Sequence, residues 1–149
     1  MRALIQRVTR AEVRVDREVA GSIGRGLLVL LGVGRDDSPP VADALARRIC
    51  ELRIFADENG RTNRSLTDTA GEMLVVSQFT LYADTRRGRR PGFTDAAQPD
   101  VAIPIYERFC AAAEGQGVTV ARGRFGAEMA VELVNDGPFT IWLDTEDRG

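Results

Sequence analysis

A chain of 149 residues is the length of one domain with one sizeable core, and 44% apolar with 28% charged residues describes a soluble globular protein, not a disordered one. A net charge of −2 argues against a general nucleic-acid binder, no apolar run approaches the ~20 residues of a membrane helix, and the start lacks a secretory pattern, so a cytoplasmic protein is expected. Every basic residue is arginine and histidine is absent, which excludes lysine catalysis and any Ser-His-Asp, Cys-His or HExxH site, while Cys50 and Cys110 read as small buried thiols in helical patterns, not zinc ligands.

Residues 3–15 alternate loosely, with Leu4, Gln6 and Val8 on one side and then Ala11, Val13 and Val15, which predicts a long strand bent near Thr9-Arg10. A turn at Asp16-Arg17-Glu18 and a short strand over 19–23 make it a hairpin. Leu27-Leu28-Val29-Leu30-Leu31 is apolar throughout, as a strand buried on both faces is. Gly32-Val33-Gly34 follows, but Asp37 stands where a dinucleotide fingerprint needs its third glycine, so the segment predicts only a tight strand-to-helix connection. Ser38 as N-cap and Pro39 as first residue open a helix whose inner face is Val41, Ala44, Leu45, Ile49 and Leu52, with Cys50 beside it.

A short strand is expected over 53–56, then a turn at Asp57-Glu58-Asn59-Gly60. Asn63-Arg64-Ser65 matches a glycosylation sequon by chance; a loop closes at Ala70-Gly71, and a central strand runs over 72–82. A second helix spans about 101–113, with Ile105, Phe109 and Ala112 inward. Pro104 must stand in its first turn or mark its start, because an interior proline would break it. Strands over 118–121, 129–134 and 140–143 finish the chain, parted by a glycine-punctuated turn at 123–126 and by Asn135-Asp136-Gly137-Pro138. The sum is an α/β fold: a curved, mixed or antiparallel sheet forming a barrel-like core, two helices packed outside, and one domain over residues 1–149.

The chemistry concentrates in SQFTLYADTRRGRRPGF, residues 77–93. On a strand, Ser77, Phe79 and Leu81 point one way and Gln78, Thr80 and Tyr82 the other. Thr80 is a nucleophile only with a base beside it, and no histidine or lysine exists to serve. Backbone N–H groups at a strand end need no such partner to form an oxyanion hole. The plainer reading, polar residues facing solvent, is the one the pattern by itself favours. Arg86, Arg87, Arg89 and Arg90 around Gly88 suit a phosphate backbone, against the alternative of a solvated loop. Asp136-Gly137 is a hairpin signal, though Pro138 removes a ladder hydrogen bond, and the X-Pro base rate favours a trans bond.

Together these residues resemble one family, the D-aminoacyl-tRNA deacylases of the bacterial and eukaryotic type. The likeness runs through Ala3-Leu4-Ile5-Gln6-Arg7-Val8, the glycine-bounded run over 26–34, Leu52-Arg53-Ile54-Phe55, the 77–93 stretch, Gly123-Arg124-Phe125-Gly126-Ala127-Glu128-Met129 and Asn135-Asp136-Gly137-Pro138. It implies a homodimer, without cofactor or required metal, that hydrolyses the ester joining a D-amino acid to the 3′-terminal adenosine of tRNA. It also implies action on glycyl-tRNA mischarged on tRNA(Ala).

By that resemblance the Gly137–Pro138 bond is cis and its carbonyls enter the partner's pocket, opposite Ser77, Gln78, Phe79 and Thr80. Arg7 holds the Gly-Pro segment, Phe125 and Met129 line the site, and Arg86, Arg87, Arg89 and Arg90 contact tRNA. N–H groups near Phe79 and Thr80 supply the oxyanion hole, helped by the ribose 2′-OH, with Thr80 as covalent nucleophile ranked second. Phe139 stands where a small aliphatic residue is commoner, and Pro104 where relatives continue a helix. The alternative from another class is a non-catalytic tRNA-binding dimer.

Overall fold

The computed structural model describes residues 1–147, and β1 (Arg2–Val15) is the strand around which its sheet is built. One edge of β1 pairs antiparallel with β3 (Gly26–Gly32) and β2 (Glu18–Ile23); the other pairs antiparallel with β8 (Ala130–Asp144). β3 continues in parallel to β6 (Glu72–Ser77), and β6 in parallel to β7 (Thr119–Arg122). The sheet nearly closes where β2 meets β7: a Cβ on Gly21 would lie 2.5 Å from the Arg122 carbonyl oxygen, an approach that only glycine permits. Helices α1 (Pro39–Glu51) and α3 (Pro99–Gly115) pack on the outer face. The expected α/β fold with a curled mixed sheet is therefore observed, with a four-residue helix α2 (Leu66–Thr69) in addition to the two predicted.

β3 is apolar throughout because it divides two cores. Leu27, Val29 and Leu31 pack under the helices with Ile49 and Phe109; Leu28 faces the inside of the curl with Val8, Val13 and Val76. Fully burying a side chain such as Phe109 contributes about 2–3 kcal/mol. β1 serves both cores by changing phase. Ala3 and Ile5 face the helices, Val8, Ala11, Val13 and Val15 face the curl, and the register against β8 slips between Gln6 and Arg10. The predicted bend is there, but Leu4 and Gln6 are only half-buried, because the phase change falls before Val8.

Other expectations are corrected. The inner face of α1 is Ala42, Leu45, Ala46, Ile49 and Cys50; Ala44 is exposed. Small residues face α3 there because two helices approach closely, and burial pushes the Cys50 thiol up to about 11 and Cys110 to about 12. Residues 53–56 yield only β4 (Phe55–Ala56), paired with an unforeseen β5 (Thr62–Arg64) around a turn whose N–H groups bond to Asp57. A Ser65-x-x-Asp68 capping box, a signal carried by the sequence, starts α2. Pro104 lies beyond the first turn of α3, since the helix begins at Pro99; it is tolerated because it faces solvent, where water can bond the stranded carbonyl.

Two corrections reach the chemistry. β6 stops at Ser77, and Phe79–Tyr82 form a single 3₁₀ turn, so the strand alternation expected for 77–82 does not exist. Residues 130–144 are one strand, not two joined by a hairpin, because both halves run in the same direction along β1. Asn135 faces Val8 and Thr140 faces Gln6, so Asp136, Gly137, Pro138 and Phe139 bulge opposite Arg7 alone.

Candidate active site

The stretch after β6 turns because its backbone finds new partners. The Gln78 N–H donates to the Leu31 carbonyl at 2.7 Å, ending the strand against β3. Leu81 N–H then donates to the Gln78 carbonyl at 3.2 Å, and Ala83 N–H to the Thr80 carbonyl at 3.0 Å. The first N–H groups of a helical turn have no earlier carbonyl to meet. Accordingly, the N–H groups of Phe79 and Thr80 find no protein acceptor among the described residues. Both residues are exposed. The Gln78 side-chain amide donates to the Thr80 hydroxyl, and no carboxylate among the described residues bonds that hydroxyl.

Beside this turn lies a cavity of about 320 Å³ lined by Ser77, Phe79, Phe93, Phe125, Val33 and Ala102. Phe79 meets Phe93 edge to face at 5.1 Å, and Phe125 meets Tyr106 likewise at 6.2 Å. Tyr106 is anchored in turn by its hydroxyl, which donates to the Val75 carbonyl at 2.7 Å. An aromatic-walled cavity bordered by free N–H donors suits a flat base attached to a polar, oxyanion-forming group. A larger cavity of about 650 Å³ lies at the opposite end of β6, among Arg7, Arg25, Phe55, Glu72 and Asp136, and contains none of residues 77–80. Only the smaller of these two cavities is lined by Ser77 and Phe79.

The Gly137–Pro138 bond is cis, and both residues are exposed. The bulge is held from inside. Asn135 Nδ2 donates to the carbonyls of Arg7 and Phe139 at 3.0 and 3.1 Å. Arg7 Nε donates to the Asp136 carbonyl at 3.2 Å and also faces its carboxylate, while Nη1 donates to the Ile54 carbonyl at 2.6 Å. The Arg7 guanidinium lies 4.2 Å over the Phe139 ring, so the aromatic at this position packs against the cation that holds the bulge.

Arg7 is level with Leu27 and so with Met73, whereas the turn begins at Ser77. Four residues of strand are about 13 Å, so the chain does not bring its own Gly-Pro pair to its own turn. Phe125 lines the aromatic cavity; Met129 does not, and packs over Gly123 against the inner core. Sequence reasoning passed over Phe93 and Asn135 as site residues, although both stand inside the quoted motifs.

The arginine loop is closed at its neck, where the N–H of Asp84 donates to the Gly92 carbonyl at 2.7 Å and that of Gly92 to the Asp84 carbonyl at 2.9 Å. Arg86 forks onto the Asp84 carboxylate at 2.9 and 2.8 Å, and this bonding holds the carboxyl down at about 2. Arg87, Arg89 and Arg90 are exposed and form no ion pair among the described residues. Gly88 takes a φ of +65°, a left-handed conformation that glycine adopts readily, at the tip of the loop. Among the described residues no metal-binding group of three or more ligands assembles, and no helix is long and apolar enough to cross a membrane.

The sequence model for D-Tyr-tRNA(Tyr) deacylase matches residues 4–144. A D-aminoacyl-tRNA deacylase of Roseiflexus sp. (strain RS-1) is 61% identical, covering 97% of this chain and 94% of that protein. One of Clostridioides difficile (strain 630) is 55% identical, with 97% of each chain covered. Among solved structures, the c-Myc DNA unwinding element binding protein superposes with a TM-score of 0.90 at 39% identity, over 97% of this chain and 99% of that one. A probable eukaryotic D-amino acid tRNA deacylase superposes with a TM-score of 0.84 at 19% identity, over 95% of this chain and 97% of that one, a likeness of fold.

Proposed function

The chain belongs to the D-Tyr-tRNA(Tyr) deacylase family and is a hydrolase of D-aminoacyl-tRNA esters, and we propose that it proofreads chirality with a site completed by a second copy of itself. The observation that carries this reading is the separation within one chain. Free N–H donors border an aromatic cavity at one end of the sheet, and a bare main-chain bulge projects about 13 Å away. A two-fold dimer sets the bulge of each copy over the turn of the other. Gly137 and Pro138 then oppose Ser77, Gln78, Phe79 and Thr80.

The terminal adenine occupies the aromatic cavity, where ring faces and edges favour a flat base. The ester carbonyl lies at the Phe79 and Thr80 N–H groups, which stabilise the oxyanion as water attacks. The leaving group is the terminal ribose hydroxyl, and its neighbouring 2′-OH assists the attacking water. The main-chain wall excludes an L-aminoacyl group by collision and asks nothing of the side chain, so varied D-residues are accepted. Glycine has no side chain to collide, so glycyl-tRNA mischarged on tRNA(Ala) is also hydrolysed. The enzyme works in the cytoplasm without a cofactor or required metal.

Hydrolysis of D-tyrosyl-tRNA and L-tyrosyl-tRNA by wild type and Thr80→Ala tests the reading. Both proteins are expected to cleave only the D-ester, the variant within about tenfold of wild type, since no base activates the hydroxyl. A folded, tRNA-binding Thr80→Ala that is inactive would make Thr80 the nucleophile. An inactive wild type would leave a tRNA-binding dimer.

The arginine loop grips the acceptor end through Arg87, Arg89 and Arg90, with Arg86 bracing the loop through Asp84. Replacing those three by alanine is expected to flatten the dependence of log binding constant on log salt by about 2–3. Arg86→Ala is expected to change the slope less. Equal slopes for the triple variant and wild type would remove the loop from the tRNA interface.

A further inference from the structure

Gly32-Val33-Gly34 fails as a nucleotide-binding motif, yet both glycines stand where an added Cβ would crowd its neighbours. A Cβ on Gly32 would lie 3.1 Å from the Gln78 carbonyl oxygen, 3.2 Å from Leu81 Cβ and 3.3 Å from Tyr82 Cδ2. A Cβ on Gly34 would lie 2.8 Å from the Tyr82 hydroxyl oxygen, 3.0 Å from Tyr82 Cζ and 3.1 Å from Asp37 Oδ2. Every contact at Gly32 and the nearest at Gly34 belong to the Gln78–Tyr82 segment. Tyr82 is buried at 6% exposure, beside a cavity of about 210 Å³ that Arg2 and Gly34 also line.

Arg2 holds the same segment from the start of β1. Its Nη1 donates to the Leu81 carbonyl at 2.9 Å, its Nε to Asp144 Oδ2 at 3.0 Å, and its guanidinium lies 4.4 Å over the Tyr82 ring. Asp144 ends β8, the strand that also carries Gly137 and Pro138.

We propose that Gly32, Gly34 and Arg2 are positioning residues for catalysis, forming a seat that sets where the Phe79 and Thr80 N–H groups point. None of the three lines the aromatic cavity, so they act through the turn. A methyl at Gly32 presses on the backbone of that turn, and one at Gly34 presses on it through Tyr82. Displacements of a few tenths of an ångström matter for donors aimed at a developing oxyanion. The inference rests on the deacylase reading of the turn.

The test is kcat and KM on D-tyrosyl-tRNA, with thermal midpoints, for wild type, Gly32→Ala, Gly34→Ala, Gly34→Ala with Tyr82→Phe, Arg2→Ala and Arg2→Lys. Each single variant is expected to lose about tenfold or more in kcat with KM within about twofold. Tyr82→Phe deletes the oxygen nearest the new methyl but leaves Tyr82 Cζ at 3.0 Å and Asp37 Oδ2 at 3.1 Å, so the double variant recovers part of the loss. Arg2→Lys stays low, because an ammonium cannot span a carbonyl, a carboxylate and a ring as a guanidinium fork does. Wild-type kcat in the folded single variants overturns the seat. So does a kcat loss that simply follows the thermal midpoint and is not relieved by Tyr82→Phe. Should a glycine variant fail to fold, Arg2→Ala at wild-type kcat still overturns it. A wild type inactive on the D-ester sinks the deacylase reading itself, an outcome distinct from an active wild type with indifferent variants.

Discussion

Arg7→Ala is expected to destabilise the fold by about 2–3 kcal/mol, lowering the thermal midpoint by about 5–10 °C, and to reduce D-aminoacyl-tRNA hydrolysis more than any change in the arginine loop. The side chain is 13% exposed and donates to the carbonyls of Ile54 and Asp136, so truncation strips two acceptors of a charged donor. Asp136 is 40% exposed, and water compensates part of its lost pairing, which keeps the effect below that of a fully buried ion pair. Phe139 loses the cation above its ring. The bulge then has only Asn135 to hold its shape. Arg7→Lys restores the charge without the fork and is expected to recover little. Denaturation and D-tyrosyl-tRNA turnover check this; a midpoint within about 2 °C of wild type would show that Arg7 does not brace the bulge.

Gly137→Ala is expected to cut hydrolysis of D-tyrosyl-tRNA about a hundredfold, collapsing the ratio of D- to L-ester rates while tRNA binding and the thermal midpoint persist. Gly137 is exposed, and a Cβ there would meet only Asn135 Oδ1 at 3.3 Å within its own chain. The fold accommodates the methyl if Asn135 gives by a few tenths of an ångström; the rest of the space it invades belongs to whatever the bulge faces. A main-chain wall that selects by shape has no slack for an added carbon. Wild-type rates and selectivity in this variant would show that the bulge does not face the reacting ester, and the shared-site reading would fall with it.

Much of this molecule is written locally. The uniform apolar run of β3 announces a strand with a core on each face, and the Ser38-Pro39 start of α1 is a helix signal independent of tertiary context. The motif around Ser77–Thr80 and the Gly137–Pro138 pair mark the candidate site before any fold is known. Other features were not legible because their causes lie across the sheet. Polar residues 77–80 continue a strand pattern, and only the capture of the Gln78 N–H by Leu31 turns them into a 3₁₀ turn with two free donors. Asp136-Gly137 signals a hairpin, but β1 pairs with both flanks in one direction and makes it a bulge. The phase change of β1 likewise answers to two cores.

The sequence by itself determined the class of fold, the two long helices, the absence of histidine or lysine chemistry, and the short motifs of the family resemblance, because propensity, hydrophobic period and residue chemistry act over a few neighbours. Only the tertiary structure decided which backbone N–H groups are left free, which aromatic rings wall the cavity, and what Arg2, Arg7, Gly32 and Gly34 pack against. Those are properties of distances between residues tens of positions apart, set by strand register and close packing, and no local pattern encodes them.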